Sequence, residues 1–124
     1  MYNATVLDHF QNPRNVGELP SPALFARAQN STDGDIVDVW LRVEDDRIAD
    51  AKFRCAGCTA AIACASVATE WVKGKSVAEA SAVTRELIAD LLGGLPPSKM
   101  ICSNLAPDAI RKAMKPRMNA NERK

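Results

Sequence analysis

The segment Cys55 to Ser76, CAGCTAAIACASVATEWVKGKS, constrains the fold more than any other part of the chain. A strand running out through Cys55 must turn past Gly57 and enter a helix whose first half is almost entirely small residues, so that its backbone can lie close against a sheet. The turn leaves Cys58 at the first turn of that helix, where unpaired backbone N–H groups favour a thiolate. The residues before this segment read as the sheet that presents Cys58, and those after it as helices that bring a second cysteine, Cys102, within reach.

Ahead of it, residues 2–12 carry Val6, Leu7 and Phe10 at helical spacing and predict a short amphipathic helix ended by Pro13. Gln11 to Pro22 is dense in turn residues and predicts a wrapping loop. A short strand over Ala23–Gln29 is followed by the turn Asn30-Ser31-Thr32-Asp33-Gly34. Ile36 to Val43 then alternates, with Val37, Val39, Leu41 and Val43 on one face, the mark of a half-buried strand. Glu44-Asp45-Asp46 turns the chain into a third strand over Ile48–Cys55, with Ala49, Ala51, Phe53 and Cys55 expected on a common face. Two successive hairpins make an antiparallel meander with one face left to cover.

The helix over Thr59–Lys73 is expected to bury Ala61, Ile62, Ala65, Ala68, Trp71 and Val72, and Gly74 stops it. Ser76-Val77-Ala78-Glu79 is a capping box, Thr84 caps a further helix to Leu92, and Gly93-Gly94 closes that one. Leu95-Pro96-Pro97 is extended, and a last helix contains Cys102, Leu105, Ile110, Ala113 and Met114, which places Cys102 near its start. The tail over 115–124 is expected to fray after Pro116. The fold class is therefore α+β: a small three-stranded antiparallel sheet covered on one face by helices, forming a single domain over 1–124.

A formal charge of +1 with interleaved signs gives no electrostatic footprint for nucleic acid or an acidic membrane surface. No apolar run approaches a membrane span, and Met1 to Pro13 lacks the pattern of a signal peptide. A cytoplasmic setting is the expectation, and in a reducing compartment the four cysteines are metal ligands, reactive thiols or core residues rather than disulfides.

Cys55 and Cys58 form a Cys-x-x-Cys pair that suits a redox couple, half a zinc site or half an iron–sulfur site. The meander before them argues against the redox reading, and alternation sends Cys55 toward the core with Phe53. Cys64 lies on another face of its helix and reads as packing. Cys58 and Cys102 are the candidates for chemistry, because both fall at loop-to-helix transitions. Two thiolates need further ligands, and the turn Asp33-Gly34-Asp35 offers two carboxylates, although Asp-Gly is also ordinary turn chemistry. His9, the sole histidine, reads as structural.

Three ordered motifs extend this reading. Asp8-His9-Phe10-Gln11-Asn12-Pro13-Arg14-Asn15-Val16-Gly17 is similar to a DHxxNPRNxG signature, Phe53 to Lys75 to an FxxxGCxxAIAxxSxxTEWVKGK segment, and Leu95-Pro96-Pro97-Ser98-Lys99 with Cys102-Ser103 to an LPPxK and HCS segment. Over nearly its whole length the chain resembles the IscU/NifU N-terminal family of iron–sulfur cluster assembly scaffolds. The resemblance implies a site at which Cys58, Cys102 and Asp35 match three family ligands. Asp33 stands where the family has its first cysteine, and Ile101 where it has a histidine.

It further implies a scaffold rather than an enzyme. A cysteine desulfurase would pass persulfide sulfur to Cys102 or Cys58, and iron or a transient 2Fe–2S cluster would sit on Cys58, Cys102 and Asp35, with Asp33 as an atypical fourth ligand. The cluster would leave for apo iron–sulfur proteins, and Leu95–Lys99 would be the docking segment of a specialised chaperone. Tyr2 lies where the family often has a functional tyrosine. The two departures leave open a homologue that only partners the assembly machinery, and a zinc-binding domain using the same cysteines with aspartate or Cys55.

Overall fold

The computed structural model describes residues 2–31 and 34–122, with side chains described as far as Pro116. Helix α1 spans Ala4–Gln11, strands β1, β2 and β3 span Leu24–Gln29, Ile36–Glu44 and Arg47–Ala56, and helix α2 spans Thr59–Val72. Helices α3 (Val77–Ser81) and α4 (Arg85–Leu91) come next, then a 3-10 helix over Pro97–Asn104 and helix α5 (Leu105–Glu122). The strands pair antiparallel in the order β1-β2-β3, the meander that the two hairpin turns predict.

The alternation in β2 is realised: Val37, Val39 and Leu41 are fully buried on the helix-covered face. In β3 the expected phase is only half right. Ile48 is buried and Ala49 exposed, whereas Ala51 and Phe53 are buried. An irregularity between Arg42 and Val43 shifts the register, pairing Val43 with Ile48 and Arg42 with Asp50. A bulge of this kind leaves one residue unpaired and changes which side of the strand faces in. The β2–β3 turn places both Asp45 and Asp46 at positive φ (53° and 62°), the twist-matched geometry of a two-residue hairpin.

Helix α2 is the centre of the domain, packed against α1, β3, α4, α5 and the 3-10 helix. The expected one-sided apolar stripe is too narrow a description. Ala60, Ala61, Ala63, Cys64, Ala65, Ser66, Val67, Ala68, Thr69 and Val72 are all buried, while Ile62 and Trp71 are only half-buried. Small residues on every face let neighbours close in from all sides, and a helix without a polar face is a buried one. Gly74, at φ +84°, ends it as the sequence predicts.

The segment Gln11–Pro22 does more than wrap. Asn15 and Gly17 flank β3 in parallel, with Phe53 N–H donating to the Asn15 carbonyl (2.9 Å) and Gly17 N–H to the Phe53 carbonyl (2.9 Å). The free edge of β3 is thereby covered, as exposed sheet edges generally are. The same segment is tied to α2: Ser66 Oγ accepts from Arg14 N–H (2.9 Å) and lies 2.8 Å from His9 Nδ1. His9 is a satisfied, buried structural residue.

Caps fix the remaining helices. Asn3 caps α1 by accepting from Val6 N–H and donates its amide to the Leu92 carbonyl (3.0 Å), joining the start of α1 to the end of α4. Ser76 and Glu79 form the reciprocal capping box of α3, and Thr84 caps α4. One expectation about the last segment is corrected. Cys102 lies inside the 3-10 helix, ahead of α5, because Pro96-Pro97 imposes a tight turn that runs on to Asn104. The backbone of α5 is helical through Pro116 to Glu122. Pro116 lies inside this helix, where it removes one i→i−4 bond.

Candidate metal centre

Three elements meet at the edge where β3 gives way to α2. Cys58 is the N-cap residue of α2, in extended conformation (φ −79°, ψ 173°), and it makes no side-chain cap bond, so its sulfur is left to point elsewhere. Asp35 lies directly before β2, at the base of the turn from β1. There Asn30 N–H donates to the Asp35 carbonyl (2.8 Å) and Gly34 N–H to the Asn30 carbonyl (2.7 Å). Gly34, at φ +75°, supplies the left-handed residue that closes this turn. Cys102 enters from the 3-10 helix and is fully buried.

One ligand atom from each of Asp35, Cys58 and Cys102 lies within 4.8 Å of the other two. The Cys58 and Cys102 sulfurs are 3.5 Å apart, and the Cys102 sulfur is 3.9 Å from Asp35 Oδ2. Among the described residues this is the one group of three or more His, Cys, Asp and Glu side chains close enough to share an ion. Two soft sulfurs and one hard oxygen form a donor set that suits iron or zinc and holds neither in a closed tetrahedron.

The electrostatics divide the cysteines. Burial, and then the hydrogen bond to Cys58, pushes the Cys102 thiol up to about 12. Its place inside the 3-10 helix denies it the free N–H groups of an α-helix N-terminus. Burial, and then the Asp35 charge, likewise pushes Cys55 up to about 12. Cys55 is half-buried against the core, and the three-residue cluster forms without it. Cys64 is fully buried in α2 with its thiol raised by desolvation, as packing requires.

Asp33 lies outside the described residues. Ile101, next to Cys102, is 43% exposed and offers no donor. Two residues beyond the predicted ligand set act on the cluster. Tyr2 packs on the core, its hydroxyl pKa raised by burial and then by Cys58. Lys99 exerts a positive charge on both Cys102 and Tyr2, and Lys99 and Tyr2 line a cleft of about 300 Å³ with Leu7, Pro96 and Ser98. Nothing local in the Leu95–Lys99 segment marks Lys99 as a neighbour of a thiol. The 3-10 helix reveals it, because at three residues per turn Lys99 and Cys102 lie on the same side.

The family model of the NifU-like N terminal domain matches residues 1–123. The chain belongs to this family. It is 50% identical over 114 residues to the iron-sulfur cluster assembly scaffold protein IscU 1 of Archaeoglobus fulgidus, covering 92% of this chain and 74% of that protein. It is 45% identical over 117 residues to the iron-sulfur cluster assembly scaffold protein IscU of Haemophilus influenzae, covering 91% and 92%. The fold matches the crystal structure of a NifU-like protein (N-terminal) from Brucella abortus with a TM-score of 0.75 at 21% identity, over 91% of each chain. The resemblance read from the three motifs thus holds along the chain, and the meander with its helices is the fold of this family.

Proposed function

We propose that this chain is a scaffold on which iron and sulfide are combined into a labile cluster, its cargo, held by Cys58, Cys102 and Asp35. The observation that carries this is the convergence of two sulfurs and a carboxylate from three separate elements onto one point within 4.8 Å, in a member of this family. The scaffold proteins of Archaeoglobus fulgidus and Haemophilus influenzae align with more than nine-tenths of the chain at 50% and 45% identity, which supports the same role.

The donor set suits a cargo meant to leave. Thiolates bind ferrous or ferric iron strongly, whereas a single carboxylate is a harder and more exchangeable ligand that can yield its position to a recipient's cysteine. The buried Cys102 thiol is protonated at neutral pH until a cation arrives, so iron entry releases its proton and creates the thiolate. Sulfur then comes from a cysteine desulfurase. Cys58, less buried than Cys102, attacks the outer sulfur of the donor persulfide; the donor thiolate leaves, Cys58 keeps the persulfide with no net change in oxidation, and an external two-electron donor then cleaves the S–S bond to give sulfide and the Cys58 thiolate. Apo iron–sulfur proteins receive the finished cluster, and Leu95–Lys99, exposed at Pro97 and Ser98, is where a chaperone would dock. Zinc would fill the same three atoms with a fourth ligand from solvent or a partner.

The test is anaerobic reconstitution with ferrous iron and sulfide, comparing wild type with Cys58→Ala, Cys102→Ala and Asp35→Ala. Cluster absorption that both cysteine variants lose, and that Asp35→Ala changes in lifetime, is the expected result. Equal absorption in all four proteins would refute the assignment.

A further inference from the structure

Gly57 is the one glycine of the chain's six that is not at positive φ. Its backbone conformation is open to any residue, so the reason for a glycine must lie in space. A Cβ at position 57 would stand 2.9 Å from Asp35 Cγ, 3.1 Å from Asp35 Cβ and 3.1 Å from Asp35 Oδ1. Such distances are well inside carbon–carbon contact, near 3.5–4.0 Å. We propose that Gly57 is a positioning residue for the metal centre: the missing side chain is the space that lets the Asp35 carboxylate lie against the Cys102 sulfur. This rests on reading Asp35, Cys58 and Cys102 as that centre.

The alternative is that Asp35 simply steps aside, and the backbone opposes this. The Asp35 carbonyl is bonded to Asn30 N–H at 2.8 Å, and Ile36, the next residue, pairs with both Gln29 and Ala56. The Cα of Asp35 is therefore held on both sides by the sheet, and relief falls on its side-chain torsion. Turning the carboxylate about the Cβ–Cγ bond leaves Cγ at 2.9 Å, so the side chain must rotate about Cα–Cβ, which carries both oxygens with it; the Cβ contact at 3.1 Å then needs only a small shift between the two backbones. A methyl group on Gly57 would thus remove the oxygen donor while leaving both sulfurs in place. The order of the motif, glycine immediately before Cys58, puts the space and the ligand on consecutive residues.

The test is cobalt(II) binding to the whole chain, because cobalt reports sulfur ligation and coordination geometry by separate absorption bands. Gly57→Ala is expected to keep the sulfur-to-cobalt charge-transfer band, to lose the ligand-field intensity of the wild-type site, and to weaken binding by about tenfold, as loss of a supporting neighbour does. In an Asp35→Gly background the same substitution is expected to change nothing further. A Gly57→Ala protein whose cobalt affinity and spectrum equal the wild type, or one that loses equally in both backgrounds, overturns the proposal.

If Gly57→Ala does not fold, recovery of folding by Asp35→Gly reports the same clash, and a double variant that remains unfolded overturns it. If the wild type itself binds no cobalt, the metal-centre reading fails by itself. A crystal structure of metal-free Gly57→Ala then decides the positioning claim. A carboxylate still 3.9 Å from the Cys102 sulfur would contradict it, and a displaced one would uphold it.

Discussion

The sulfurs of Cys58 and Cys102 lie 3.5 Å apart, although 44 positions separate the two residues in the chain. One is delivered by the N-cap of a buried helix and the other by a 3-10 helix. Both elements pack on the same core and both cysteines are free thiols, so the pair is held by the fold rather than by a disulfide.

Metal binding should therefore stabilise the fold through this pair. A thiophilic ion at a hundredfold excess over its Kd stabilises the native state by roughly 2.7 kcal/mol. We predict a rise in Tm on adding zinc to the wild type, and loss of that rise in Cys102→Ala. The measurement is a thermal melt with zinc and again with excess chelator. A Tm that does not respond to zinc in the wild type would contradict the prediction.

The cysteines should differ in reactivity. Burial raises the Cys64 thiol and holds Cys55 and Cys102 near 12, so at pH 8 these three carry almost no thiolate. Cys58 is the half-buried N-cap residue of α2. Alkylation by iodoacetamide, tracked residue by residue by mass spectrometry, should label Cys58 first, and zinc should protect it. Faster labelling of Cys55 would contradict the environments described.

Much of this was legible in the sequence, because local chemistry decided it. The hairpin pattern, the capping box at Ser76 and the place of Cys58 at the head of α2 each depend on a few adjacent residues. The failures share a different cause. Ala49 faces outward because a register shift across the strand pair, invisible in β3 alone, changed the phase. Cys102 resembled an α-helix start, yet a proline-imposed 3-10 turn and complete burial set its environment. Lys99 meets Cys102 because a 3-10 helix eclipses residues three apart, which the extended segment expected there conceals, and Gly57 meets Asp35 only through tertiary approach.

Acid should weaken the joint between α1 and α2. Ser66 Oγ accepts from Arg14 N–H at 2.9 Å and shares a 2.8 Å hydrogen bond with the buried His9 Nδ1. Burial and then the Arg14 charge lower the His9 pKa, while Glu70 and Asp8 pull the other way. With the folded pKa below the ordinary 6.5, the unfolded chain binds the proton first. Stability is then complete above about pH 6.5 and falls as pH drops toward the folded value. Urea unfolding between pH 7.5 and 5 should show this slope, and His9→Gln should flatten it. An unchanged slope in the variant would assign the effect elsewhere.

The cap on α1 should matter more than an exposed asparagine would suggest. Asn3 accepts from Val6 N–H at 2.9 Å and donates to the Leu92 carbonyl at 3.0 Å. Asn3→Ala should destabilise by about 1–2 kcal/mol, the upper range for a lost N-cap. Chemical denaturation measures it, and a change within experimental error would mean that water replaces both bonds.

The most direct measurement is the absorption spectrum after anaerobic loading with ferrous iron and sulfide, with iron and sulfide analysis, on wild type and Cys58→Ala. A sulfide-to-iron charge-transfer band in the wild type, absent from Cys58→Ala, is what a scaffold centred on Cys58, Cys102 and Asp35 predicts. A band that survives Cys58→Ala, or iron without sulfide in the wild type, would contradict it.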